Sequence, residues 1–215
     1  MGGMDQLGLV GGTFDPPHVG HMLVGSHARR ALGLSRVLYV VAPAPWQKAD
    51  RIISAPEERL ALVELACAAH DGLEASDIEI RRPGNTYTID TVEALEQSGV
   101  ERPWLILGSD AAAGLDTWHR HEELRSKVRL AVVDRPGGGD PPAEWDFTRI
   151  EVPALDVSSS DLRERRRSGR CVEVLIPGPV IDEMDRRGLH PELVDPAEPD
   201  ATPGVFVDAG GSDGR

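Results

Sequence analysis

Five short apolar runs, at residues 7–10, 37–42, 78–80, 104–107 and 130–133, recur along the chain with helix-length stretches between them. Runs this short and rich in Val, Leu and Ile read as buried strands. The stretches between them are long enough for a helical crossover back to the starting edge of a sheet. The alternation predicts βαβ units combined into a parallel sheet, hence an α/β fold.

The helix signals fit that frame. Ser54-Ala55-Pro56-Glu57 joins a capping Ser, a Glu three residues later and a first-turn Pro, with Leu60, Val63 and Cys67 on one face beyond it. A helix is expected over 19–32 with Leu23 and Ala31 inward, and another from Thr88 or Asp90 to Gly99 that buries Val92 and Leu95. Pro177-Gly178-Pro179 suits entry to a last helix over 180–187, closed by Gly188. Residues 135–145, RPGGGDPPAEW, are rich in breakers and read as a surface loop without assigned chemistry, after which 149–152 resumes a strand.

At 215 residues and 40% hydrophobic content the chain suits one domain, expected over residues 1–190. Residues 191–215 carry six carboxylates against one Arg, with Pro and Gly throughout, which predicts a disordered acidic tail. A net charge of -13 gives no ground for a broad basic face, so nucleic acid is not an expected partner. Cys67 and Cys171 are too few for a disulfide framework or a cysteine metal site. No run approaches membrane-spanning length, and the opening MGGMDQ lacks a basic leader region, so a cytoplasmic protein without a membrane partner is expected.

Chemistry concentrates in residues 11–21, GGTFDPPHVGH, which follow the first strand directly and open the next helix. The position is the carboxyl edge of a parallel sheet, where ligands bind. Glycines let the backbone approach an anion, and a helix N-terminus offers N–H groups and partial positive charge. His18 and His21, three residues apart, share a helix face. A pair of glycines alone is a tight turn, and a single His is a cap or a surface residue. Together after a strand, these elements fit the separate demands of one phosphate site. The chain has no G-x-G-x-x-G after a strand and no G-x-x-x-x-G-K-[ST], which disfavours a dehydrogenase or a P-loop NTPase.

GGTFDPPHVGH resembles the T/HxGH signature of the nucleotidylyltransferase superfamily. The resemblance implies a Rossmann-like doubly wound parallel sheet, here with a small C-terminal helical portion. It also implies an ATP site that uses Gly11, Gly12, Thr13, Phe14, His18 and His21.

Further segments follow the order found in bacterial nicotinate-nucleotide adenylyltransferases. Residues 42–48, APAPWQK, resemble a Pro-rich loop whose Lys48 would hold the acceptor phosphate. NTYTIDT, residues 85–91, resembles the family's YTxDT segment, with Tyr87 and Thr88 beside the nicotinate carboxylate. LILGSD with Trp118 resembles its GxD…W segment. That match implies Gly108 and Asp110 near the ATP ribose, Trp118 against the pyridine ring and His119 completing the carboxylate site. VSSSDLR, residues 157–163, resembles ISSTxIR, with Ser158, Ser159 and Arg163 on the ATP phosphates from a helix N-terminus.

The resemblance implies transfer of AMP from ATP to nicotinate mononucleotide, giving nicotinate adenine dinucleotide and pyrophosphate in NAD biosynthesis. His18, His21, Lys48 and Arg163 would carry catalysis through positioning and charge stabilisation, with Mg²⁺ arriving on ATP and no metal ligand from the protein. A homo-oligomer is left open. The alternatives are an enzyme for the amide or another small phosphorylated acceptor, and a non-catalytic nucleotide-binding module.

Overall fold

A computed structural model describes residues 6–43, 53–134 and 138–191. Six strands form one sheet in the order β3-β2-β1-β4-β5-β6, and every pair is parallel. They are β1 (Leu7–Gly12), β2 (Arg36–Val41), β3 (Leu73–Ser76), β4 (Trp104–Gly108), β5 (Arg129–Val133) and β6 (Phe147–Ile150). The helices are α1 (Val19–Leu32), α2 (Pro56–Cys67), α3 (Thr88–Gln97), α4 (Ser109–Ala112), α5 (His121–Lys127), α6 (Ser159–Arg167) and α7 (Gly178–Arg187). A 3-10 turn, Leu115–Thr117, precedes α5. This is the Rossmann-like doubly wound α/β architecture expected.

The side-chain period of two divides each strand between two cores. Val37, Tyr39 and Val41 of β2 face one core with α1, α2, α6 and α7. Leu38 and Val40 face the other, with Ile89, Val92 and Leu95 of α3 and Leu124 of α5. The strand order reverses between β1 and β4, so their carboxyl ends flank the crevice that such sheets use for ligands.

Several local expectations are corrected. Residues 78–80 form a turn, and the strand lies earlier at Leu73–Ser76, after Gly72 turns the chain at φ 75° and Leu73 pairs with Val37. The last strand is Phe147–Ile150, at the sheet edge, rather than 149–152. Helix α1 buries Met22, Gly25 and Ala28, while Leu23 is only partly covered and Ala31 is exposed. The reason is Gly25, whose missing side chain leaves room for the Tyr39 hydroxyl directly beneath the helix. At α2 the cap is Ala55 rather than Ser54, and the Glu58 carboxylate accepts the Ala55 N–H at 2.9 Å. Burial raises the Cys67 thiol pKa to about 12, Cys171 is exposed, and both are free thiols. Among the described residues no helix is long and apolar enough to cross a membrane.

Candidate active site

The first turn is built by close packing over a glycine. Phe14 adopts φ 52°, a left-handed conformation unfavourable for a bulky residue, and its ring folds over Gly12, where a Cβ would stand 2.7 Å from the ring. Gly11, by contrast, is exposed with open space above it. The peptide Asp15–Pro16 is cis. The chain then enters α1 with His18 as the N-cap, and the His18 N–H donates to His21 Nδ1 at 3.2 Å. The two imidazoles stack with centroids 3.7 Å apart and planes at 27°. Phe14 meets His21 edge-on at 4.9 Å, and the Tyr39 hydroxyl donates to the His21 carbonyl at 2.8 Å. His18 is buried and His21 half-buried, so both rings are held from below.

The far end of the chain completes this region. Ser158 caps α6, its hydroxyl accepting the Asp161 N–H at 3.1 Å. The Ser159 hydroxyl donates to the Pro16 carbonyl at 2.9 Å. The buried Arg163 guanidinium donates through Nη1 to the Asp15 carbonyl at 2.6 Å and through Nη2 to Ser160 Oγ at 3.3 Å. The N-termini of α1 and α6, two imidazoles and a guanidinium therefore gather around one turn, an arrangement whose partial and full charges favour a polyanion.

A second cluster forms across the switch point. Gly108 ends β4 and caps α4, with Ser109 buried and Asp110 exposed beyond it. The loop after β5 closes on this segment, since a Cβ on Gly138 would lie 1.9 Å from Ser109 Oγ. Trp118, which follows the 3-10 turn, is half-buried against the second core, and His119 is exposed. Tyr87 caps α3, and its N–H donates to Asp90 Oδ2 at 3.3 Å. The Tyr87 and His119 rings lie 4.2 Å apart at 32°, which brings the α3 N-terminus at Thr88 beside the Trp118–His119 turn. Lys48 lies outside the described residues.

A cytidylyltransferase-like family model matches residues 9–165. A "Probable nicotinate-nucleotide adenylyltransferase" from Roseiflexus sp. is 40% identical over 193 residues, covering 86% of this chain and 97% of the relative. One of the same name from Bordetella pertussis is 39% identical over 87% of this chain and 99% of its own length. This chain belongs to the nicotinate-nucleotide adenylyltransferase family. The Plasmodium falciparum nicotinic acid mononucleotide adenylyltransferase, solved in complexes with APC and with NaAD, shares the fold. Its TM-score is 0.70 at 17% identity, over 86% of this chain and 97% of that one.

Within this family framework, the sequence motifs do not reveal what holds the first turn in place. Arg59, 1% exposed, donates to four carbonyls: Ser54 at 2.9 Å, Thr13 at 2.7 Å, Ala42 at 2.7 Å and Pro43 at 3.0 Å. One side chain thus joins the first turn, the segment after β2 and the entry to α2. Beside it, the buried Asp15 carboxylate takes His190 Nε2 at 3.0 Å through Oδ1 and the Ser54 N–H at 3.1 Å through Oδ2. His190 Nε2 is also 3.1 Å from Ser54 Oγ. Burial works to raise the Asp15 pKa, but the hydrogen bond and charge of His190, with the Ser54 hydrogen bonds, outweigh it and hold the carboxyl below its usual value. No short motif could announce these contacts, since Asp15 and His190 stand 175 residues apart. Among the described residues, no group of three or more His, Cys, Asp or Glu side chains is arranged to hold a metal ion.

Proposed function

We propose that this chain transfers AMP from ATP to nicotinate mononucleotide, forming nicotinate adenine dinucleotide and releasing pyrophosphate on the route to NAD. The observation that supports it most is the convergence of His18, His21 and Arg163 with two helix N-termini at one edge of the sheet. It is joined by the family membership and by the aromatic turn beside the α3 N-terminus across the crevice.

In this reading the 5′-phosphate oxygen of the mononucleotide attacks the α-phosphorus of ATP in line. The bond from that phosphorus to the β-bridging oxygen breaks, and pyrophosphate leaves with its electron pair. The attacking phosphate is already ionised, so no general base is needed. Catalysis rests on positioning and on charge placed where the phosphoryl oxygens accumulate it. His18, His21 and Arg163 serve the ATP phosphates, with Ser158 and Ser159 at the α6 N-terminus and the backbone of Gly11, Gly12, Thr13 and Phe14 in close approach. The Phe14 side chain supports this surface from within, because its ring is buried. Gly108 and Asp110 face the ribose, Lys48 restrains the acceptor phosphate, and Tyr87, Thr88, Trp118 and His119 receive the pyridine ring and its carboxylate. Mg²⁺ enters as part of the ATP substrate, held by the triphosphate. A cytoplasmic setting, where ATP is supplied, belongs to the same proposal.

The test is pyrophosphate release from ATP, Mg²⁺ and nicotinate mononucleotide. Release dependent on the mononucleotide is expected, and its absence at saturating substrate would overturn the reading in favour of a nucleotide-binding module.

A further inference from the structure

Arg120 immediately follows His119 and caps α5 in the left-handed conformation, φ 53° and ψ 40°. A non-glycine residue held there carries strain that the surrounding contacts must offset. The contacts are three carboxylates. Arg120 Nη1 and Nη2 grip Glu93 of α3 at 3.1 and 2.7 Å, and Nε and Nη2 grip Glu123 of α5 at 3.0 and 2.6 Å. Asp90 Oδ1, on the first turn of α3, lies 3.8 Å from Nη1. The hydrogen bonds to Arg120 lower the pKa of both Glu93 and Glu123, so these groups stay anionic.

Two consequences meet at the acceptor cluster. A fork that binds two carboxylates in bidentate fashion fixes the Trp118–His119 turn against the middle of α3, a geometry that lysine cannot reproduce. It also offsets part of the negative charge of an acidic patch near the place where α3 presents its N-terminus. Without Arg120 the patch of Asp90, Glu93 and Glu123 gains one unit of net negative charge, which disfavours an anionic ring substituent at that end of the helix. An uncharged carboxamide would feel little of this.

We propose that Arg120 is a positioning and specificity-determining residue, which sets the preference for the acid over the amide mononucleotide without touching either. The inference rests on the acceptor site described under Proposed function. Pyrophosphate release by the full chain with nicotinate mononucleotide and with nicotinamide mononucleotide, in wild type, Arg120→Gln and Arg120→Lys, tests it. In Arg120→Gln the acid-to-amide ratio of kcat/KM should fall by about three- to tenfold at low salt, the effect of like charges at partly screened separations. KM for ATP should stay within about twofold, since the ATP phosphates lie across the crevice. Arg120→Lys, which keeps a charge but loses the fork, should fall between the two, and it carries the test if the Gln variant does not fold. Adding Glu93→Gln to Arg120→Gln should restore part of the ratio, a rescue that a merely structural role would not give.

An unchanged ratio in an active Arg120→Gln enzyme, or equal losses for acid, amide and ATP, would overturn the inference alone. A wild type inactive with both mononucleotides would overturn the acceptor reading and the inference with it.

Discussion

Arg59 shows how much of the site depends on a single residue away from the motifs. Its four carbonyl partners lie on three segments, and replacing it with Met would leave them without a donor in a buried setting. Arg59→Met should destabilise the fold by about 3 kcal/mol or more in chemical denaturation and weaken ATP binding in parallel. Asp15 makes the corresponding prediction for pH. Its folded pKa lies below the reference 3.8, so its contribution is present above that value and is lost as pH falls through the folded pKa. Thermal unfolding followed from pH 6 down to 3 should therefore show an acid limb that Asp15→Asn flattens. An unchanged limb in that variant would show that Asp15 does not contribute it. Neither role was legible in the sequence, since Arg59 acts on the first turn through the Thr13 carbonyl, 46 residues away, and Asp15 acts through Ser54 and His190, 39 and 175 residues away. His18, His21 and Thr88 stood out because their local context, a strand end or a helix start, carries the signal in adjacent residues.

Among the elements, α1 illustrates where periodicity misleads. Counting the larger apolar residues puts Leu23 inward, yet the helix approaches the sheet through Met22, Gly25 and Ala28 because the Tyr39 hydroxyl sits under Gly25. Ala at position 25 would favour the isolated helix by about 1 kcal/mol. Its Cβ, however, would lie 2.0 Å from that hydroxyl, and overpacking costs about 1–3 kcal/mol with the Tyr39 to His21 hydrogen bond lost besides. Gly25→Ala should therefore lower stability, and a rise in melting temperature would refute the packing argument. Strand β3 escaped the sequence reading for a related reason. It is four residues long with one fully buried position, whereas the more apolar Ile78 and Ile80 occupy the following turn and pack partly against opposite cores. Strands β1, β2, β4 and β5 were legible because they are covered on both faces and read as unbroken apolar runs.

For the whole molecule, the parallel sheet followed from the alternation of strands and helices, while its doubly wound order and the pairing of the first turn with α6 followed from the family resemblance; what the fold adds is the contacts that join them, Ser159 to the Pro16 carbonyl and Arg163 to the Asp15 carbonyl. Ligand at that meeting point should tie both ends together. ATP at a hundred times its dissociation constant should stabilise the chain by about 2.7 kcal/mol. Hydrogen exchange should then slow together in β1–α1 and at the start of α6. Protection confined to one of them would contradict a shared phosphate site.

The Arg163 contact with the Asp15 carbonyl, 148 residues apart, also has a meaning in time. A chain emerging from the ribosome displays its glycine turn and the two imidazoles well before the Arg163 guanidinium and the capped helix opposite them have been made. His190, which grips Asp15 from beyond α7, comes later still. On the proposed reading, a nascent chain interrupted before Arg163 would hold only half of the phosphate site and would gain no stabilisation from ATP.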